Sequence, residues 1–284
     1  MSRHDARGRS SQVGWATTLI LVAGLIVVCA QPTAQAASAT RFAYQVVRIS
    51  SRPLSAGYVA SAAAHCPAKE KPLGGGVSTG SDDMRVVESY PIGDPQGWAA
   101  TVANEGTSSA SFDVYAICAR TPRAVAYDVV SVASEPNASA GVAACPTGRS
   151  SLGGGVSVGS DELRVVESFP LGGSRGWVAT VADQGSDNAA FEVFAVCAQI
   201  PADVAYEVVQ VSSQPVSAGA TATVVDPCPT GKVPLGGGVY AATDDVRLVE
   251  SFPQGRERRW GWVGTVANES LTDSSIDIYV ICAK

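Results

Sequence analysis

Three stretches of this 284-residue chain are near copies of one another, and that repetition constrains the fold more than any other feature. Tyr44-Gln-Val-Val, Tyr127-Asp-Val-Val and Tyr206-Glu-Val-Val open three units. Each continues through Cys-Pro, Leu-Gly-Gly-Gly-Val, Arg-Val/Leu-Val-Glu-Ser-aromatic-Pro, Gly-Trp, Thr-Val and a closing aromatic-x-x-Cys-Ala. Leu73 to Ala119 aligns without a gap on Leu152 to Ala198, with about 29 of 47 positions identical. The units are read as 44–122, 123–201 and 202–284. The third is slightly longer, chiefly around 254–261, where Trp260 stands among Arg256, Arg258 and Arg259.

The patterning within a unit is that of strands. Phe112, Val114, Ala116 and Cys118 fall on one face of an alternating segment, with Asp113, Tyr115 and Ile117 on the other. The same alternation recurs at 191–198 and 276–283, and no window beyond residue 36 shows a helical stripe. The spacing predicts an all-β chain with five or six strands per unit. The closing strand ends apolar on both faces, so a neighbouring unit is expected to cover it. Short, partly apolar linkers fit packed units about a pseudo-threefold axis. A row of three small tandem sandwiches is the alternative.

The N-terminus reads as an export signal. Arg3, Arg7 and Arg9 precede a 15-residue apolar run at 16–30, followed by Ala34-Gln-Ala36. The run is short for a membrane span. Residues 1–36 are therefore expected to be removed, leaving a short segment 37–43 before the first unit; a retained anchor is the rival. Three basic residues and one acidic residue lie within 1–36. The remainder carries 17 Lys and Arg against 25 Asp and Glu, a net charge of −8. No basic stripe remains, so nucleic acid is not an expected partner, and no membrane association is expected after cleavage.

Six cysteines follow residue 36, two per unit. If all units are built alike in an open array, they pair as Cys66–Cys118, Cys145–Cys197 and Cys228–Cys282. Each bridge would close a loop worth about 4 kcal/mol of chain entropy. Cys-x-x-Cys spacing is absent and His65 is the one histidine beyond the leader, so no metal site is expected.

The glycine runs Gly74–Gly75–Gly76, Gly153–Gly154–Gly155 and Gly236–Gly237–Gly238 lack the Lys-Ser/Thr and the helix of a phosphate loop. Inside strands they suggest a bulge, or a backbone that a neighbouring segment or the unit's own tryptophan approaches closely. Gly-x-Ser-x-Gly occurs at 76–80, 155–159 and 172–176, without the strand-to-helix elbow of a hydrolase. His65 has Ala144 and Pro227 as counterparts, which leaves a repeated serine without a base. No catalytic residue and no cofactor are expected.

Binding residues are sought among the repeated aromatic and acidic positions. Trp98, Trp177 and Trp262 are candidates for flat sugar platforms, although each also reads as the first inward residue of a strand. Glu88, Glu167 and Glu250 are candidate ligand carboxylates, with a structural ion pair or hydrogen bond as the rival role. Three-residue spacing places Arg85 and Glu88 on opposite faces of a regular strand. The acidic turns Asp82-Asp83, Asp161-Glu162 and Asp244-Asp245 precede them. Asn137-Ala-Ser and Asn268-Glu-Ser match the N-glycosylation sequon.

The stretches Cys-Pro-Thr-Gly-Lys-Val-Pro-Leu-Gly-Gly-Gly-Val (228–239), Val-Val-Glu-Ser-Tyr-Pro (86–91), Gly-Trp-Ala-Ala-Thr-Val-Ala-Asn-Glu-Gly (97–106) and Phe-Asp-Val-Tyr-Ala-Ile-Cys-Ala (112–119) resemble a repeat module of secreted actinobacterial proteins. The resemblance spans nearly all of 44–284, with Cys66-Pro-Ala-Lys departing from it. It implies export and an extracellular or cell-envelope setting, and carries no catalytic residues. A looser analogy is to β-prism lectins and related egg-coat proteins, three β units about an axis. Together these expectations describe an extracellular, non-catalytic binding module, lectin-like and multivalent, with glycans or envelope components as partners. A structural or surface-interaction protein is the alternative, and an extracellular hydrolase a third.

Overall fold

The computed structural model describes residues 44–94, 96–121, 125–183, 185, 189–256 and 259–284. The expected leader 1–36 and segment 37–43 lie outside the described residues, as does Arg258. Each unit contributes six strands. Unit 1 holds β1 (Tyr44–Ser50), β2 (Val59–His65), β3 (Lys71–Thr79), β4 (Met84–Gly93), β5 (Gln96–Asn104) and β6 (Phe112–Ala119). Unit 2 holds β7 (Tyr127–Ala133), β8 (Ala140–Ala144), β9 (Ser150–Val158), β10 (Leu163–Pro170), β11 (Gly176–Asp183) and β12 (Phe191–Ala198). Unit 3 holds β13 (Glu207–Val216), β14 (Thr221–Pro227), β15 (Val233–Ala241), β16 (Val246–Arg256), β17 (Arg259–Asn268) and β18 (Ser274–Ala283).

No sheet belongs to one unit. Strands β2-β5-β4 of unit 1 continue into β9-β12-β7 of unit 2, forming sheet 1–2. Strands β8-β11-β10 of unit 2 join β15-β18-β13 of unit 3 as sheet 2–3. Strands β14-β17-β16 of unit 3 join β3-β6-β1 of unit 1 as sheet 3–1. Each seam is antiparallel and registers a serine on a valine: Ser89 on Val156, Ser168 on Val239, and Ser251 on Val77. The third seam returns to the first unit, so the array is a closed ring and the tandem-sandwich alternative is set aside. Edge strands of adjacent sheets pack at three corners, β1 on β2, β7 on β8 and β13 on β14.

The disulfides are Cys66–Cys118, Cys145–Cys197 and Cys228–Cys282. Each ties the end of a strand in one sheet to the closing strand of its unit in another. In unit 1 Cys66 follows β2 of sheet 1–2 while Cys118 lies on β6 of sheet 3–1. Every bridge thus staples a corner, and the bridges place the folded chain in an oxidising environment.

The core runs continuously through all three units, with Trp98, Trp177 and Trp262 as its largest side chains. Equivalent residues of the three units, including Gly75, Gly154, Gly237, Ser89, Ser168 and Ser251, line one central cavity of about 20 Å³. That is room for about one water molecule.

Each glycine of a run has its own neighbour. A Cβ on Gly75, Gly154 or Gly237 would strike the indole of Trp98, Trp177 or Trp262. On Gly76, Gly155 or Gly238 it would strike the backbone of Ser251, Ser89 or Ser168 across the seam. On Gly74, Gly153 or Gly236 it would meet the Leu-Gly backbone of another run, so these three glycines meet about the pseudo-threefold axis. Strands this bare lose conformational restriction and side-chain packing. Here the loss is offset by a backbone-to-backbone approach that a side chain would forbid.

Candidate functional site

The repeated tryptophans are not platforms. Trp98, Trp177 and Trp262 are each 1% exposed, which corrects the expectation that their faces receive sugar rings. Each indole N–H donates inward, Trp98 to Ser89 Oγ at 2.8 Å, Trp177 to Ser168 Oγ at 2.7 Å and Trp262 to Ser251 Oγ at 2.8 Å. The serine of Glu-Ser-aromatic-Pro is therefore the partner that lets a buried indole keep its hydrogen bond.

The repeated glutamates join units. Glu88 accepts from the Thr101 hydroxyl at 2.7 Å, and across the seam from the Ser157 hydroxyl at 3.0 Å and the Val158 N–H at 3.2 Å. Glu250 does the same with Thr265 (2.8 Å), Ser78 (3.1 Å) and the Thr79 N–H (3.2 Å). Glu167 accepts from Thr180 at 2.7 Å and from the Ala241 N–H at 3.2 Å. Burial raises the Glu167 carboxyl above its ordinary range, partly opposed by those two bonds. The serines Ser78 and Ser157 of the Gly-x-Ser-x-Gly matches thus lie within strands, bonded to carboxylates, and Ser174 of the third lies buried in a 3₁₀ turn.

The arginines close the ring in the same direction. Arg85 donates to the carbonyls of Asp161 and Leu163 in unit 2, each at 3.0 Å. Arg164 donates to the Asp244 carbonyl of unit 3 at 2.8 Å and pairs with Glu269. Arg247 donates to the carbonyls of Met84 (2.6 Å) and Asp82 (3.1 Å) in unit 1, and to Glu269 at 2.6 Å. The acidic turns serve these guanidinium groups through their backbone oxygens. Among the described residues no three His, Cys, Asp or Glu side chains gather as metal ligands would.

The opening tyrosines bind in the opposite direction. Tyr44 donates to the Pro234 carbonyl at 2.9 Å, Tyr127 to that of Pro72 at 2.6 Å and Tyr206 to that of Ser151 at 2.6 Å. Burial pushes all three phenols up, Tyr206 to about 12. These links are legible only as repeated tyrosines in the sequence, since their partners lie 55 or 190 residues away.

Arg85 and Glu88 share a face, contrary to the expectation from their spacing. Val87 is a bulge: Val86 pairs with Val102 while Glu88 pairs with Thr101. The same slip occurs at Val166 and Val249. One extra residue flips the alternation, so Arg85 and Glu88 both face outward and each engages unit 2 separately.

What the repeats leave outside is a second aromatic set. On each sheet's outer face an aromatic residue of Glu-Ser-aromatic-Pro meets one from the closing strand of the neighbouring unit, over the last glycine of the run. Tyr90 stacks on Phe194 with ring centres 5.4 Å apart. Phe252 stacks on Tyr115 at 5.3 Å, and Phe169 on Tyr279 at 5.5 Å. Apart from Phe252, which is buried, these rings are half-exposed. Beside each pair runs a row of carboxylates and hydroxyls: Glu88, Ser157 and Glu192 on sheet 1–2, Glu250, Ser78 and Asp113 on sheet 3–1, and Glu167 and Asp277 on sheet 2–3. On sheet 1–2 a groove of about 180 Å³ opens beside Phe194, lined by Pro72, Pro91, Ile92, Gln96, Tyr127 and Val129. It is smaller than an ordinary small-molecule pocket of ~300–1,000 Å³.

Trp260 belongs to an extended β16–β17 hairpin, where its ring meets Tyr44 of unit 1 edge-on at 6.1 Å. Asn268 of the second sequon is 1% exposed, and its side-chain N–H groups donate to the carbonyls of Val216 and Thr272. Asn137 is exposed in the β7–β8 turn.

No protein-family model matches this chain, and no curated protein matches it.

Proposed function

We propose that this chain is an exported, non-catalytic binding protein whose three outer sheet faces take up neutral polysaccharide, in the cell envelope or outside the cell. The observation that carries this reading is the aromatic pair beside carboxylates at each seam, half-exposed on sheets 1–2 and 2–3 and presenting Tyr115 beside the buried Phe252 on sheet 3–1. Aromatic faces receive the C–H face of a pyranose, and carboxylates accept its hydroxyls. A net charge of −8 beyond the leader disfavours acidic polymers. Three related faces on one rigid body suit weak multivalent attachment to a repeating surface. The repeated glutamates, serines and arginines are engaged in seams, which speaks against a hydrolase built from them. The disulfides and the N-terminal sequence pattern support export.

The test is retention of the protein on insoluble cellulose, chitin and purified cell-wall sacculi. Combined Tyr90→Ala, Tyr115→Ala and Tyr279→Ala substitutions should release it while the thermal melt stays cooperative. No retention of the unsubstituted chain on any of the three would overturn the reading.

A surface-interaction protein without a sugar site is the second reading. It is favoured by exposed Ile49, Val59, Val129, Val132, Val142 and Val225, all on edge strands. That reading expects concentration-dependent self-association in sedimentation.

A further inference from the structure

The threefold repeat supplies an internal control, because the three outer faces ought to be interchangeable and one is not. At the position two residues after the last glycine of each run stand Ser78, Ser157 and Tyr240. At two seams the serine hydroxyl donates to the facing glutamate, Ser78 to Glu250 and Ser157 to Glu88. On sheet 2–3 a phenyl ring has displaced that hydroxyl. Among the described residues the Glu167 Oε2 atom accepts only the Ala241 N–H. Its carboxylate keeps an acceptor position that its two counterparts have filled.

The ring that removed the hydroxyl adds to the aromatic surface beside it. Tyr240 meets Phe169 edge-on at 5.4 Å, and Phe169 stacks on Tyr279 at 5.5 Å. Three half-exposed rings stand where sheet 1–2 has two and sheet 3–1 has Tyr115 beside the buried Phe252. Tyr279 is flanked by Asp277, whose oxygens are held by the Gln210 side-chain N–H (2.8 Å) and the Ser213 N–H (2.7 Å). The rings pack on one another and do not surround an open box, as a quaternary ammonium would require. They form a platform with one under-used carboxylate at its side. The fold itself does not need a tyrosine here, since the same strand position holds serine twice.

We propose that sheet 2–3 carries the chain's specific sugar site, with Tyr240, Tyr279 and Phe169 taking the C–H face of an uncharged pyranose unit and Glu167 accepting one of its hydroxyls. The ligand hydroxyl takes the place that Ser78 and Ser157 occupy on the other two faces. This rests on the polysaccharide-binding reading and narrows it from three equal faces to one principal site.

The experiment is calorimetric titration of the full chain with cellopentaose and with maltopentaose, which cover β- and α-linked neutral pyranose. The expected result is one site per chain for at least one probe. Tyr240→Ser should weaken it tenfold or more, Glu167→Gln should weaken it, and Leu271→Ala, at a side chain 97% exposed, should leave it unchanged. Tyr240→Ser should melt as the unsubstituted chain does. Binding that survives Tyr240→Ser but falls with Tyr90→Ala or Tyr115→Ala would overturn the assignment to sheet 2–3 while leaving the general reading standing. Absence of binding to both probes would overturn the sheet 2–3 assignment, and retention on cellulose, chitin or sacculi then decides the general reading separately. Saturable heat from choline chloride that competes at Tyr240 would overturn the sugar assignment.

Discussion

Arg247 Nη1 donates to the carbonyl oxygen of Met84 at 2.6 Å, and through that bond the last unit of the chain grips the first. Arg247 is 8% exposed and also reaches Asp82 and Glu269. Replacing it with alanine leaves two carbonyls without their donor and leaves Glu269 with Arg164 as its remaining partner. The expected loss is about 2–4 kcal/mol, a melting temperature lower by roughly 5–15 °C for a chain of this size. Arg48→Ala is the control. Arg48 pairs with Asp113 at the surface, so its loss should change stability by less than ~1 kcal/mol. Differential scanning calorimetry on both variants checks the contrast.

The middle glycine of each run should tolerate no side chain. Gly154→Ala drives a Cβ into the Trp177 ring and the Phe194 carbonyl, both held in the core. Overpacking of this kind costs about 1–3 kcal/mol or more. Gly93→Ala, at the end of β4, meets nothing within 4 Å and should be neutral within ~0.5 kcal/mol. Chemical denaturation of the pair reads the difference; equal midpoints would remove the close-approach account of the glycine run.

Asp226 should make unit 3 less stable as pH rises. It stands where units 1 and 2 have Ala64 and Ala143, faces the core opposite Trp262, and is 1% exposed. Its Oδ2 has no hydrogen-bond partner among the described residues. Burial raises its carboxyl from the ordinary 3.8 to about 6. The folded chain therefore holds a proton that the unfolded chain releases. Stability is unaffected below about pH 4, falls between pH 4 and 6, and stays lowered above. Asp226→Ala should raise the melting temperature at pH 7.5, by a stability increment of about 1–3 kcal/mol. At pH 4 the increment should shrink towards zero. Melts of both proteins from pH 4 to 8 measure this.

Only one of the two sequons is open to a glycan on the folded chain. Secretion from a glycosylating eukaryotic host should modify Asn137 and leave Asn268 bare, because the Asn268 amide nitrogen already donates to Val216 and Thr272. Peptide mass spectrometry before and after glycosidase treatment distinguishes the two sites.

Local pattern revealed much of this fold. Alternation marked the closing strands, and the repetition of two cysteines per unit led to the bridges that form. The glycine runs read correctly as places of close backbone approach, down to the unit's own tryptophan as a neighbour. Period-two patterning states which face a residue takes, and says nothing of which strand lies alongside. The sharing of every sheet between two units was therefore hidden. A single bulge residue such as Val87 was also hidden, and it was enough to bring Arg85 and Glu88 to one face.

The candidate site was legible in its residue types and misplaced in its details. Trp98 and Glu88 repeat because the core and the seam need them, and a repeat records every shared constraint, whether packing or binding. The half-exposed aromatics Tyr90 and Phe194 meet across a seam between residues about a hundred positions apart, a relationship no local pattern contains. Tyr240 carried a signal that could have been found, as the one aromatic at a position otherwise held by serine.

The sequence by itself determined the all-β character, the two cysteines per unit and the threefold equivalence of the units, because each depends on spacing along one chain. Only the tertiary structure decided that unit 3 closes on unit 1, that Trp98, Trp177 and Trp262 turn into the core while Glu88, Glu167 and Glu250 hold the seams, and that Tyr90, Tyr115, Tyr279, Phe169 and Phe194 stay half-exposed. Those outcomes depend on which strands pair at long range. Pairing is chosen by the joint fit of backbone to glycine, guanidinium to carbonyl and carboxylate to hydroxyl across all three seams at once.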